Sequence, residues 1–319
     1  MNKSLPGYVR FTRAPRRAGL KEGVSMDLLE KFSSVEIKPT DCMTEADRQF
    51  CQRQQEAYQD AVTGFYQIGG LLSDMYRQQK AVLFDPEDRK DAWREKYLVS
   101  SWWREIDVNY LLKHIFILHT EFIDTLVSYL NAAYHLSISS FSVAAGLLPK
   151  EPARICAEDE FDWSPVVLRY EDAVAKILAG FNGRTFAEEG PYELLEQCHS
   201  AAWLGQKSNF SQQKNLVKIL KSACGYGYYS GHEQWHIHDS AKSVLKALAH
   251  FETGILGQYP DGIADLLSEE GCLWFDLWEL EDCKKLEKIR LFKNGRMDIR
   301  FTGEGYARQF VADYFGSVA

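Results

Sequence analysis

Residues 106–135 constrain the fold more than any other stretch. Leu111, Ile115, Leu118, Phe122, Leu126, Tyr129 and Ala133 recur every three or four positions, the spacing that lines one face of an α-helix. Phe116, Ile123, Val127 and Leu130 widen that stripe, so the helix is expected to be buried around most of its circumference. Such a helix needs a layer of others around it. One is expected to start at Thr44, where Thr44-Glu45-Ala46-Asp47 resembles a capping box with Asp in place of Glu. Its apolar face would run through Ala61, Phe65, Ile68, Leu72 and Met75, with Gly69-Gly70 expected to kink or end it. A further helix start is read at Asp85, with Pro86 in the first helical position.

The second half alternates more. Helices are expected at 191–204, 210–223, 240–256 and 273–286, with Ala173, Val174, Ile177, Leu178 and Phe181 forming another helical face. Gly225-Tyr226-Gly227-Tyr228-Tyr229-Ser230-Gly231 is too glycine-rich for a comfortable helix and reads as a loop or strand edge. The strongest strand signal is 287–301, which alternates on both sides of Asn294-Gly295. A two-residue turn there would set Leu291 against Asp298. A three-residue loop, Lys293-Asn294-Gly295, instead pairs Leu291 with Met297, Ile289 with Ile299 and Arg290 with Asp298, and leaves Gly295 for the left-handed position. That register satisfies both faces and is the one expected.

These readings give a mainly α protein. Residues 1–40 form a basic arm, 41–148 a helical domain, and 149–319 an α+β domain containing the hairpin 287–301, with Pro149-Lys150-Glu151-Pro152 as the boundary. At 319 residues, two domains are the natural expectation. No run approaches the roughly 18 apolar residues of a membrane span, and the first residues lack the apolar stretch of a secretory signal. A cytoplasmic protein without a membrane partner is expected. Its seven cysteines contain no CxxC pair, which suits neither a disulfide framework nor a zinc ribbon.

Charge is unevenly spread. Lys3, Arg10, Arg13, Arg16, Arg17 and Lys21 face no acidic residue within 1–21. Removing those six from the 37 basic residues leaves 31 against 45 acidic ones, a net charge of −14 on the body. Arg10, Arg13, Arg16, Arg17 and Lys21, close to Tyr8 and Phe11, are therefore the candidate nucleic-acid contacts, since a body of that sign repels phosphate unless its cations are clustered.

The sharpest chemical motif is His232-Glu233-Gln234-Trp235-His236. On a helix, HExxH aims two imidazoles at one zinc ion with the glutamate as general base, and Glu252 is the available third ligand. The preceding Gly225, Gly227 and Gly231, and the better helix cap at Asp239 or Ser240, oppose a helix here. As a strand, His232, Gln234, His236 and His238 share one face, and Trp235 and Ile237 face the core. His114 and His119 fall in the buried helix, and His114, next to the Leu111–Ile115 face, reads as a hydrogen-bonded core residue. Trp102-Trp103 and the pair Trp274 and Trp278 offer aromatic surface for stacking bases, or simply core.

The carboxy-terminal run Leu291-Phe292-Lys293-Asn294-Gly295-Arg296-Met297-Asp298-Ile299-Arg300-Phe301 resembles the ending of an uncharacterised family catalogued as domain of unknown function 4942, although Asp298 stands where that family has His. The resemblance implies a setting in phages, plasmids or genomic islands, with a part in defence or counter-defence, and transfers no catalytic residue. The leading expectation is a non-catalytic accessory protein that binds nucleic acid or a DNA-processing partner. A zinc-dependent hydrolase using His232, Glu233, His236 and Glu252 is the alternative, and an acidic helical scaffold or DNA mimic is the third reading.

Overall fold

The computed structural model describes residues 42–83, 108–151, 161–229, 232–268 and 274–316. The expected arm 1–40, the helix start at Asp85 and Trp102-Trp103 lie outside them. The first half is helical: α1 (Glu45–Leu83), α2 (Val108–Tyr134), α3 (Ser140–Ala144), α4 (Tyr170–Ala179) and α5 (Phe186–Ala202). Asp47 caps α1 as the spacing predicts. Its backbone N–H donates to Thr44 Oγ1 at 3.2 Å, and its carboxylate accepts the Thr44 N–H at 3.0 Å. Leu111, Leu112, Ile115, Phe122, Ile123, Leu126, Val127 and Leu130 of α2 are all buried, which is the wide stripe read from the sequence.

Helix α1 does not end at Gly69-Gly70 but continues through them, and the missing side chains make room for Trp163. A Cβ at Gly69 would lie 2.0 Å from the Trp163 ring, and the indole N–H donates to the buried Ser73 hydroxyl at 3.0 Å. The same extended segment is fixed to α1 by Gln55, which accepts the Tyr170 N–H at 2.8 Å and donates to the Leu168 carbonyl at 2.7 Å. Residues 161–186 therefore pack into the first hydrophobic cluster, together with α1 and α2, although they follow the expected boundary at 149–152.

The second cluster begins within α5, at Leu194. A short ribbon, β1 (Trp203–Leu204) with β2 (Lys207–Ser208), leads to β3 (Phe210–Gln213) and β4 (Leu216–Ile219). Next come the hairpin β5 (Cys224–Tyr229) and β6 (His232–Ile237), then α6 (Asp239–Thr253), α7 (Asp261–Leu267), β7 (Leu277–Glu279), β8 (Leu286–Leu291), β9 (Met297–Phe301) and α8 (Glu304–Tyr314). Five strands form one antiparallel sheet in the order β3-β4-β9-β8-β7. Its inner face (Val217, Ile219, Ile289, Leu291, Met297, Ile299 and Phe301) is buried in one cluster with the apolar side chains of α6 and α8.

The hairpin register is the one expected. Ile289 faces Ile299, Arg290 faces Asp298 and Leu291 faces Met297, with Gly295 at φ +83°. Two expected helices are corrected. Residues 210–219 of the first form β3 and β4, and the described part of the second, 274–286, holds β7 and a turn rather than a helix. The reason lies in the short run Leu216-Val217-Lys218-Ile219, which suits either period taken alone. Pairing with β9 selects the strand and buries Val217 and Ile219.

Candidate functional site

Strands β5 and β6 carry the histidine motif. The pairing Tyr226↔Trp235, with Tyr228 opposite Glu233, places Cys224, Tyr226, Tyr228, Glu233, Trp235 and Ile237 on one face. Trp235 and Ile237 are buried, as the strand reading expects. The helix that a zinc site of the HExxH type requires is absent. Four strand residues separate His232 from His236 by about 13 Å along the chain, too far for one ion. Glu233 points to the opposite face, where it accepts the Tyr226 hydroxyl at 3.0 Å. Glu252 is engaged elsewhere: its two carboxylate oxygens accept the Lys284 and Lys285 backbone N–H groups at 2.6 and 2.9 Å. Among the described residues, no three His, Cys, Asp or Glu side chains are grouped to hold a metal ion. His236 instead lies against His238, ring centroids 4.7 Å apart, and burial together with the His238 and Lys242 charges lowers its pKa.

The opposite face of this hairpin meets the turn between β8 and β9, and there an aromatic and cationic groove forms. The connection is made by backbone. Ala223 N–H donates to the Gly295 carbonyl at 2.9 Å, and the Cys224 thiol reaches the Phe292 and Arg296 carbonyls at 3.5 and 3.4 Å. Gly295 is favoured here by its positive φ, while a Cβ would sit at an ordinary contact distance, 3.4 Å, from Cys224 O. The groove, about 330 Å³, is lined by Tyr226, Trp235, Trp274, Phe292, Lys293 and Asp276, with Leu291 in its floor.

Cations sit directly on its rings. Lys293 Nζ lies 4.0 Å above Tyr226, and the Arg296 guanidinium lies 3.8 Å above Phe292 with Arg290 at 5.4 Å. Tyr226 packs edge to face on Trp235 at 5.0 Å. Carboxylates hold the arginines in place: Arg296 pairs with Asp298 at 2.9 Å and Arg290 with Asp276 at 3.3 Å. Burial raises the Asp298 pKa in spite of Arg296. Trp274, which lines the groove, is 52% exposed, its chain neighbour Phe275 is 71% exposed, and Tyr228, on the same strand face as Tyr226, is 75% exposed.

Of the residues singled out in the sequence, Trp274 lies in this groove. Trp278 is half-buried against the second cluster. Arg10, Arg13, Arg16, Arg17 and Lys21 lie outside the described residues. His119 is buried in the first cluster and His114 is half-buried, its ring stacked on Phe65. Tyr226, Phe292 and Lys293 were not anticipated; for Tyr226 the Gly225-Tyr226-Gly227-Tyr228 alternation, which puts two tyrosines on one strand face, is the sequence signal.

Among the described residues, no helix is long and apolar enough to cross a membrane. No protein-family model matches this chain, and neither a curated protein nor a solved structure matches it. The resemblance of Leu291–Phe301 to the uncharacterised family is thereby corrected. That segment is explained by its own hairpin geometry, and the mobile-element setting it implied loses its basis.

Proposed function

We propose that this protein is a nucleic-acid-binding protein of the cytoplasm that acts by binding rather than by catalysis, and that the groove between β5–β6 and the β8–β9 turn receives an unstacked base. The observation that carries this reading is a groove lined by Tyr226, Trp235, Trp274 and Phe292, with cations over two of its rings, Lys293 over Tyr226 and Arg296 over Phe292, and with the exposed Phe275 next to Trp274 in the chain. Aromatic faces stack any base, at about 1–3 kcal/mol each. Around the groove Lys293, Arg290 and Arg296 are offset by Asp276, Asp298 and Glu233, so phosphate attraction here is weak. A single strand therefore suits the groove better than a duplex, whose bases offer no free faces. Arg10, Arg13, Arg16, Arg17 and Lys21 supply the counterion release that the acidic body lacks.

Titration of a fluorescein-labelled oligothymidine into the full chain, across a salt series, tests the reading. Binding should quench tryptophan fluorescence and exceed binding to a duplex of the same length. Replacing Arg10, Arg13, Arg16 and Arg17 together by Gln should flatten the salt slope by about 3, at about 0.7 per phosphate contact, while quenching persists at low salt. Equal affinity for duplex and single strand, without quenching, would contradict it.

A further inference from the structure

A second cavity lies where the two hydrophobic clusters meet, between the end of α2, helices α5 and α6, and the loop after α6. Two glycines permit close packing around it, and one of them, Gly257, lines it. Gly190 of α5 lies against the Tyr134 carbonyl, where a Cβ would come within 2.3 Å. Gly257, at φ +79°, lies under the His135 ring, where a Cβ would stand 2.0 Å from Cε1. His135 itself is held in the left-handed region at φ +56°, a conformation that costs a non-glycine residue energy and is retained where the surroundings enforce it. The space is about 190 Å³, and Asn131, His135, Gln197, Lys246 and Tyr259 line it with Leu136, Leu194 and Leu256 as an apolar floor.

The hydrogen bonds of the lining fall into two groups. Both ends of the Asn131 amide are engaged by the Ile138 backbone at 2.9 Å. The Gln197 amide donates to Glu193 at 2.7 Å and accepts from the Ser243 hydroxyl at 3.4 Å. The His135 ring nitrogens, the Lys246 ammonium and the Tyr259 hydroxyl make no hydrogen bond or ion pair with the described residues. Three residues able to donate thus line one small cavity with an apolar floor, His135 and Lys246 from exposed positions and Tyr259 from a half-buried one, at a junction of the kind where ligand sites concentrate.

We propose that this cavity binds a small organic monocarboxylate, with the carboxylate on Lys246, Tyr259 and His135 and the apolar body on Leu136, Leu194 and Leu256. Size supports the class, since an apolar cavity of about 150 Å³ accepts benzene. Charge favours a monoanion over a dianion: Glu193, hydrogen-bonded to the lining residue Gln197, repels a dianion such as phosphate about twice as strongly as a monoanion. The site is independent of the nucleic-acid groove.

Benzoate is the probe, titrated into the full-length protein by calorimetry, with the His135 imidazole C–H resonances followed by NMR. Benzoate should bind, move the His135 signals and raise the melting temperature. Lys246→Met should weaken it about tenfold or more, the loss of one charge-assisted hydrogen bond. Tyr259→Phe should weaken it several-fold, and Lys246→Arg should restore most of the affinity. Because Lys246 is exposed, its variants should melt like the parent without ligand. Absence of benzoate binding at millimolar concentration, equal binding to the Lys246→Met variant, or tighter binding of inorganic phosphate would each overturn the proposal.

Discussion

The two hydrophobic clusters are built on different principles. The first fastens helices to one another with buried polar groups, whereas the second joins a sheet to helices almost entirely by apolar contact. Among the described residues Asp47, Ser73 and His119 are buried in the first half, and Asn209 is the buried polar residue of the second. Asp47 accepts from the Tyr129 hydroxyl at 2.7 Å, from the Thr44 hydroxyl at 2.5 Å and from Tyr134, so one carboxylate ties the start of α1 to the end of α2. Those hydrogen bonds hold its pKa below the ordinary value although burial pushes the other way. His119 Nδ1 meets Tyr58 Oη at 2.6 Å, and that phenol oxygen also accepts the Leu168 N–H at 3.0 Å. The second cluster has instead a nest of rings, with Phe310 packed on Phe251, Phe301, Tyr314 and Phe315. The first region is thus specified by partners and is sensitive to protons, and the second is specified by shape.

That contrast can be broken or sharpened by substitution. Phe310→Ala should cost most, about 3–5 kcal/mol, with little change in the cost between pH 4 and 8. Asp47→Ala should cost about 3–4 kcal/mol at neutral pH by leaving two tyrosines and the α1 cap without their acceptor. Its lowered pKa means that this contribution is complete above pH 3.8 and lost as the pH falls through the folded value, so the penalty should shrink in acid. Denaturant titrations at several pH values check both.

His119 acts higher on the pH scale. Burial lowers its pKa from 6.5 to about 4, so the unfolded chain takes up the proton first. Stability is complete above pH 6.5 and falls by about 3 kcal/mol as the pH drops from 6.5 to 4. The second region holds a half-buried counterpart, His250, shifted the same way by burial and by Lys285. Hydrogen exchange should therefore show α1 and α2 opening before α6 and β8–β9 over this range. Simultaneous opening would erase the distinction between the regions. The smallest effect is expected for Gly69→Ala. Better helix propensity favours alanine by about 1 kcal/mol, but the Cβ would strike Trp163, and a net loss of about 1–2 kcal/mol should appear as a lower melting temperature.

The same contrast explains what was legible in the sequence. The hairpin register could be read because Leu291, Met297, Arg290 and Asp298 fit one pairing on both faces at once. The α2 stripe was legible because its period is sustained for many turns. Strands β3 and β4 were not, since four residues around Val217 carry too short a pattern and the partner that selects them, β9, is distant in the chain. That α1 continues past Gly69-Gly70 was not legible, because Trp163, which needs the space, lies in another segment. The groove escaped notice for the same reason. Tyr226, Trp235, Trp274 and Phe292 come from separate segments, and only the pairing of β5 with β6 and the Gly295 contact bring them together.

The proposed base-binding role of the groove rests on stacking by exposed rings, so the most direct test removes them. Trp274→Ala combined with Phe275→Ala in the full chain deletes two surfaces that are 52% and 71% exposed and should leave the melting temperature nearly unchanged. Anisotropy of a labelled oligothymidine at fixed salt then gives the ratio of dissociation constants. With about 1–3 kcal/mol lost per stacked base, the double variant should bind at least tenfold more weakly. An affinity equal to that of the unaltered protein would contradict the assignment of this groove to bases.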